Sequence, residues 1–118
     1  MAQKDVLGRQ GEQFAAEHLE RSGYSIVDRN WRCRQGEIDI VALRDGVLVF
    51  VEVKTRSGIG YGLPSEAVSV SKLQRLRRLA GAWCAEHEPR IRAMRLDVIG
   101  IVVKHGQDIR LDHLEGVS

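Results

Sequence analysis

The sequence is poor in most of the features that mark a specialised chain. It has two cysteines, Cys33 and Cys84, too far apart to form a CxxC pair. That spacing argues against a structural zinc site and for a reducing compartment. Aromatic residues make up only 5% of the chain, so the core must be mainly aliphatic, and a hydrophobic fraction of 43% is enough to build one. Neither sign of charge dominates: 18 Lys and Arg against 16 Asp and Glu leave a net charge of +2. A nucleic-acid binder with so small an excess must gather its positive charge locally. No apolar run approaches the length of a bilayer span, and the first residues contain no apolar leader. Repeats, low-complexity tracts and linkers are also missing. These absences lead to the expectation of one domain over residues 1–118, cytoplasmic, with no membrane partner. The four histidines, His18, His87, His105 and His113, fall in no ligand spacing and read as surface or boundary residues.

What is present is organised around GEIDIVALRDGVLVFVEVKTR, residues 36–56. Residues 37–43 and 47–54 are rich in Ile, Val, Leu and Phe, the side chains that suit a pleated surface. Asp45-Gly46 between them tolerates the positive φ angles of a two-residue hairpin turn. With Arg44 facing Val47, paired numbers sum to a constant. Asp39 then lies opposite Glu52 and Glu37 opposite Lys54, all four on one face. The remaining pairs are apolar on both faces, which places the hairpin centrally.

Like charges directly across a strand pair are destabilising. An Asp39–Glu52 pair inside an apolar hairpin therefore needs compensation, and Mg²⁺ or Mn²⁺ supplies it with carboxylate ligands. Lys54, about 6.6 Å along the strand from Glu52 and on the same face, is placed to act on a phosphate or on the attacking water. The plainer alternative is a structural ion cluster in which Glu37 pairs with Lys54.

The flanking chain completes the pattern. Helical spacing predicts a helix over 6–21, ended by Gly23. Glu12 falls on its apolar side, and Gly8 and Gly11 thin the helix for close approach to another element. A short strand over 24–31 follows. Next comes a basic connection over 30–36 carrying Arg32, with Arg29 and Arg34 as further cations. A glycine-rich loop over 55–64 and a helical turn over 65–70 lead to a second helix over 71–86. Its expected N-cap is Ser71, its buried stripe Leu73, Leu76, Leu79, Ala80 and Trp83, and its outer face Lys72, Arg75, Arg77 and Arg78. Residues 94–103 read as a buried strand reached by a parallel crossover, with Asp97 its lone acid and Arg95 a local partner for it. Residues 108–114 read as a weak edge strand.

A helix, three antiparallel strands, a helix and a strand, with Asp39 on the second strand and Glu52-Val53-Lys54 on the third, resemble the PD-(D/E)XK nuclease superfamily. That group includes restriction endonucleases and archaeal-type Holliday-junction resolvases. A closer resemblance is to the YraN-type family of small bacterial proteins. It is carried by Gly8-Arg9-Gln10-Gly11-Glu12, Arg29-Asn30-Trp31-Arg32, Gly36-Glu37-Ile38-Asp39, Phe50-Val51-Glu52-Val53-Lys54-Thr55-Arg56, and Tyr61-Gly62 with Pro64.

The resemblance implies an α/β, restriction-endonuclease-like three-layer fold, with an α-β-β-β-α-β core, a mixed central sheet and an extra edge strand. It also implies metal ligands at Asp39, Glu52 and Glu12, with Lys54 catalytic and Glu37 auxiliary. Backbone contacts to nucleic acid, DNA first, would come from Arg56, Lys72, Arg75 and Arg32. The expected activity is metal-dependent phosphodiester hydrolysis of branched or structured DNA, and a cutter of two-fold junctions is expected to dimerise. Two other readings stay open: a nucleic-acid-binding module that does not cut, and a protein–protein adaptor.

Overall fold

A computed structural model describes residues 3–57, 69–104 and 108–117. Its elements are α1 (Gln3–Arg21), β1 (Ser25–Cys33), β2 (Gly36–Arg44), β3 (Val47–Ser57), α2 (Val70–His87), β4 (Ala93–Lys104) and β5 (Asp108–Leu114). The five strands form one sheet in the order β1-β2-β3-β4-β5. β3 and β4 run parallel and the other neighbours antiparallel, so the sheet is mixed. This is the α-β-β-β-α-β order expected from the sequence, with β5 as the added edge strand.

Local chemistry explains the joints. Asp45 (φ 53°) and Gly46 (φ 77°) both take positive φ, as a twist-compatible two-residue hairpin turn requires, and Arg44 pairs with Val47. α1 stops at Gly23 (φ 91°), where the Ser22 and Tyr24 N–H groups satisfy the last carbonyls of the helix. α2 is capped by Ser69, whose hydroxyl accepts the Lys72 N–H at 3.3 Å. The expected cap, Ser71, is instead inside the helix, which begins a residue earlier than its apolar stripe shows. β1 is longer than expected. Pairing of Arg32 with Glu37 and Cys33 with Gly36 extends it through most of the stretch read as a basic connection. The glycine-rich loop from residue 58 onward, the turn over 65–68 and His105 lie outside the described residues.

Both faces of the sheet are covered. Ala15, Ala16 and Leu19 of α1 pack with Ile40, Ala42, Val49, Val51, Ile99 and Ile101. Leu76, Leu79, Ala80 and Trp83 of α2 pack with Ile38, Val41, Leu48, Phe50 and Leu96 on the other face. Each fully buried aliphatic or Phe side chain contributes about 1.5–3 kcal/mol, so both helices are anchored by burial rather than by propensity.

Among the described residues, one charged side chain is fully buried inside this frame. Asp97 is 0% exposed. It accepts from Arg95 Nε (2.8 Å) and Nη2 (2.9 Å), from His113 Nε2 (2.7 Å) and from the Gly116 N–H (3.0 Å). Arg95 also donates to the Tyr24 hydroxyl, and His113 Nδ1 lies 3.1 Å from His18 Nε2. The local Arg95 partner was legible from sequence. His18 and His113 are half-buried, as their reading as boundary residues expects, and they are also tied, directly or through one another, to a buried carboxylate.

Candidate metal centre

The β2–β3 ladder runs from Arg44–Val47 to Ile40–Val51 in the expected register and stops there. The next two expected pairs, Asp39 opposite Glu52 and Glu37 opposite Lys54, are not part of it. The reason lies in β2 itself. Ile38 packs on the α2 side of the sheet, whereas Ile40, two residues on, packs on the α1 side. A regular strand would keep both on one face. The alternation therefore breaks at Asp39. β1 breaks beside it: Arg29 pairs with Ile40 and Trp31 with Ile38, but Asn30 between them is at φ 52° and unpaired in the ladder. At this point the Asp39 side chain accepts the Val53 N–H at 2.7 Å. A carboxylate takes the acceptor place that a backbone carbonyl holds elsewhere in the sheet.

The break brings Asp39 to Glu12 and Glu37. One carboxylate oxygen from each of the three lies within 4.8 Å of the others. All three residues are half-buried. Opposite ligands of Mg²⁺ stand about 4.2 Å apart, and those of a larger divalent ion up to about 5 Å. The three oxygens therefore fit a single hard cation after a small inward adjustment. Desolvation, opposed by the Val53 bond and reinforced by the charges of Glu12, Glu52 and Glu37, raises the Asp39 pKa to about 7. A bound cation would reverse that penalty.

Neighbouring groups hold the other two acids in place. Asn30 donates to Glu12, and Arg32 donates to Glu37 through its Nε. Glu37 is thus paired with Arg32, not with Lys54. Arg32, expected to meet nucleic acid, is engaged with the acid cluster while its side chain remains 79% exposed.

Glu52 and Lys54 are arranged differently from the expectation. Glu52 lies outside the three-acid group and has Arg75 of α2 3.9 Å away. It is still close enough to raise the pKa of Asp39. Lys54 lies against Lys72. That contact, then burial, then the Lys72 and Arg56 charges lower its pKa, against an opposing pull from Glu52. Lys54, Lys72, Arg75 and Glu52 thus form a second, mostly cationic group where β3 meets α2. Arg56, further along β3, is half-buried.

The position of Glu12 depends on its neighbour. A Cβ built on Gly11 would stand 1.9 Å from Thr55 Oγ1 and 2.9 Å from Thr55 Cβ. Only glycine lets α1 lie this close to β3. Gly8, expected to share this role, has nothing within 4 Å of an added Cβ. Gly11→Ala is expected to push α1 off the sheet, costing on the order of 1–3 kcal/mol as overpacking does. It should also weaken divalent-ion binding by moving Glu12. Thr55→Ala in the same chain should restore part of both losses, as read by thermal unfolding and metal titration.

A family model matches residues 11–101, from the Thr55-packed glycine to the middle of β4. The chain belongs to the uncharacterised protein family UPF0102. This bears out the expected membership of a family of small bacterial proteins. UPF0102 proteins of Arthrobacter sp. (strain FB24) and Clavibacter michiganensis are 55% and 53% identical to it. The first match covers 100% of both chains and the second 90% of both. The UPF0102 protein of Mycobacterium avium (strain 104) is 50% identical over 95% of this chain and 89% of its own. Among solved structures, Pyrococcus furiosus SfsA in complex with Ca²⁺ is similar, at TM-score 0.45 and 15% identity over 95% of this chain. This UPF0102 chain spans 63% of the length of that SfsA chain. Among the described residues no helix is long and apolar enough to cross a membrane.

Asn30 was the positional residue the sequence did not point to. Its one signal is its place in the Arg29-Asn30-Trp31-Arg32 stretch, because Asn tolerates positive φ better than most residues.

Proposed function

We propose that this UPF0102 chain is a metal-dependent phosphodiester hydrolase of nucleic acid, acting on DNA with branched or otherwise structured geometry. The observation that carries the reading is the convergence of Glu12, Glu37 and Asp39 from α1 and β2 within 4.8 Å. Three half-buried carboxylates held together at a break in the ladder are costly without a cation. A cationic group lies where β3 meets α2.

In this reading Glu12, Glu37 and Asp39 hold Mg²⁺ or Mn²⁺, and Glu52 joins them by leaving Arg75. The ion would polarise a phosphoryl oxygen and lower the pKa of water. Lys54 orients or deprotonates the attacking water. The Lys72 contact and burial lower its pKa, which is the direction a general base needs. Asn30 and Arg32 keep the acids in place, while Arg56, Lys72 and Arg75 hold the phosphate backbone.

The test is cleavage of a panel of duplex, single-stranded, flapped and four-way DNA and RNA with Mg²⁺ or Mn²⁺. Metal-dependent products are expected from the wild type, and at least hundredfold less from Asp39→Asn, Glu12→Gln or Glu52→Gln, in line with loss of a metal ligand. Cleavage that survives Asp39→Asn overturns the assignment. The Glu52–Arg75 contact favours a second reading, a binder that does not cut. It predicts salt-dependent DNA binding without products in the same panel.

A further inference from the structure

The two edges of the sheet are finished differently. β1 is interrupted twice: its pairing with β2 shifts register between Ile26 and Asp28, and Asn30 takes φ 52°. Such breaks stop an edge strand from templating another chain. β5 is built without them. Its seven residues, DIRLDHL, pair with β4 in one continuous register and include no proline, glycine or lysine. Among the described residues β5 borders no strand but β4, which leaves a row of backbone donors and acceptors along its outer edge. Ile109 is 45% and Leu114 38% exposed on this strand. α1 does not cover Ile109: a cleft of about 690 Å³, lined by Phe14, Ile101, Val103 and Ile109, lies between them.

The charges of β5 select what can pair with it. Charged side chains along an edge discourage most incoming strands. A second copy of β5, running antiparallel, meets them differently. Directly opposite residues point to one face of a sheet, so a two-fold axis normal to the sheet lies level with a single residue of β5. An axis at Arg110 sets arginine against arginine, and an axis at Asp112 sets acid against acid, both destabilising. An axis at Leu111 aligns the whole strand. It sets Leu111 against the partner's Leu111, Ile109 against the partner's His113, and Arg110 against the partner's Asp112, the last two pairs being made twice.

We propose that β5 is the dimer interface of this chain, pairing antiparallel with β5 of a second copy about a two-fold axis at Leu111. The two sheets join into one of ten strands, five from each copy. Ile109 is covered by the partner strand, and the charges that discourage other strands become two opposite-charge pairs. This association needs no nucleic acid and holds whether or not the acid cluster cuts. Seven paired residues make a small interface, so a dissociation constant on the order of 10 µM is expected.

The experiment is sedimentation velocity of the full chain at low ionic strength, up to about 200 µM, well above that constant. The wild type is compared with Arg110→Asp, Asp112→Arg and the double variant carrying both exchanges, each first checked for folding by circular dichroism and thermal unfolding. The wild type is expected to pass from monomer to dimer with concentration. Each single exchange sets like charges opposite one another twice and should weaken the dimer about tenfold. The double variant restores both opposite-charge pairs and should associate within about threefold of the wild type. An equimolar mixture of the two single variants should form a mixed dimer, since each chain then meets the complementary charge. If the double variant does not fold, this mixture carries the same test. A wild type that stays monomeric overturns the proposal and leaves the edge to a different partner. A dimer indifferent to Arg110→Asp, or one weakened by it and restored neither by the double variant nor by mixing, overturns the β5 interface.

Discussion

Asp39→Asn is expected to make the metal-free protein more stable while abolishing its affinity for Mg²⁺ and Mn²⁺. Burial and neighbouring acids raise the folded-state pKa of Asp39 from 3.8 to about 7. Between those values the native state holds a proton that the unfolded chain releases, so stability falls as pH rises through that window. A rise of this size corresponds to a penalty of about 4 kcal/mol above pH 7. Asparagine carries no charge and keeps an acceptor for the Val53 N–H, so relief of about 2 kcal/mol is expected at pH 8 in EDTA. At pH 4 the variant and wild type should differ little. Denaturant unfolding at the two pH values checks this, and calorimetric titration with Mg²⁺ or Mn²⁺ checks the loss of affinity. In the wild type, cation binding should tighten from pH 5.5 to 7.5 and release a proton. Equal or lower stability of Asp39→Asn at pH 8 would mean that the carboxylate is not under strain, and the case for a cation site would go with it.

Asp97→Asn should have the opposite effect. Burial acts to raise the pKa of Asp97, but the bonds from His113, Arg95 and the Gly116 N–H outweigh it and hold the value below the usual carboxylate range. That stabilisation is present above the unfolded value of 3.8 and is lost as pH falls through the lower folded value. Removing the charge leaves the Arg95 guanidinium without its closest counter-ion. The expected loss is about 3 kcal/mol at pH 7, at the lower end for a broken buried pair because Arg95 is 25% exposed. Urea unfolding at pH 7 measures the loss. An acid-unfolding profile should show less loss of stability in the variant than in the wild type as pH falls below 4. Metal binding at the acid cluster should persist in the folded variant, since none of the three acids touches Asp97.

Most of the fold was legible because it rests on local rules. Asp45-Gly46 requires positive φ, and the hairpin register near it followed from that. The strand–helix–strand order from β3 to β4 implied a parallel crossover, and β4 pairs parallel with β3. That Glu12 and Asp39 come near one another was legible, and the arrangement of the acids around them was not. Strict two-residue alternation placed Asp39 on the same face as Glu52, and nothing in EIDIV marks where that alternation fails. The break at Asp39 involves Asn30 on the neighbouring strand and a side-chain bond to Val53, both tertiary events. For the same reason Glu37, read as auxiliary, is one of the three convergent acids, and Glu52 is not. The His18–His113–Asp97 chain was invisible because its members come from α1, β4 and β5, and no spacing rule connects such elements.

The three convergent carboxylates all come from residues 12–39, within a helix and strands joined by short turns. By contrast β4 reaches β3 only after the whole of α2 has been made, and their parallel pairing closes a long loop. Contacts near in sequence form ahead of distant ones. Glu12, Glu37 and Asp39, with the β3 residues Val53 and Thr55 that position them, are all made before Lys72 and Arg75. Early cation capture by that nascent segment would relieve a repulsion that the rest of the polypeptide is not yet there to share.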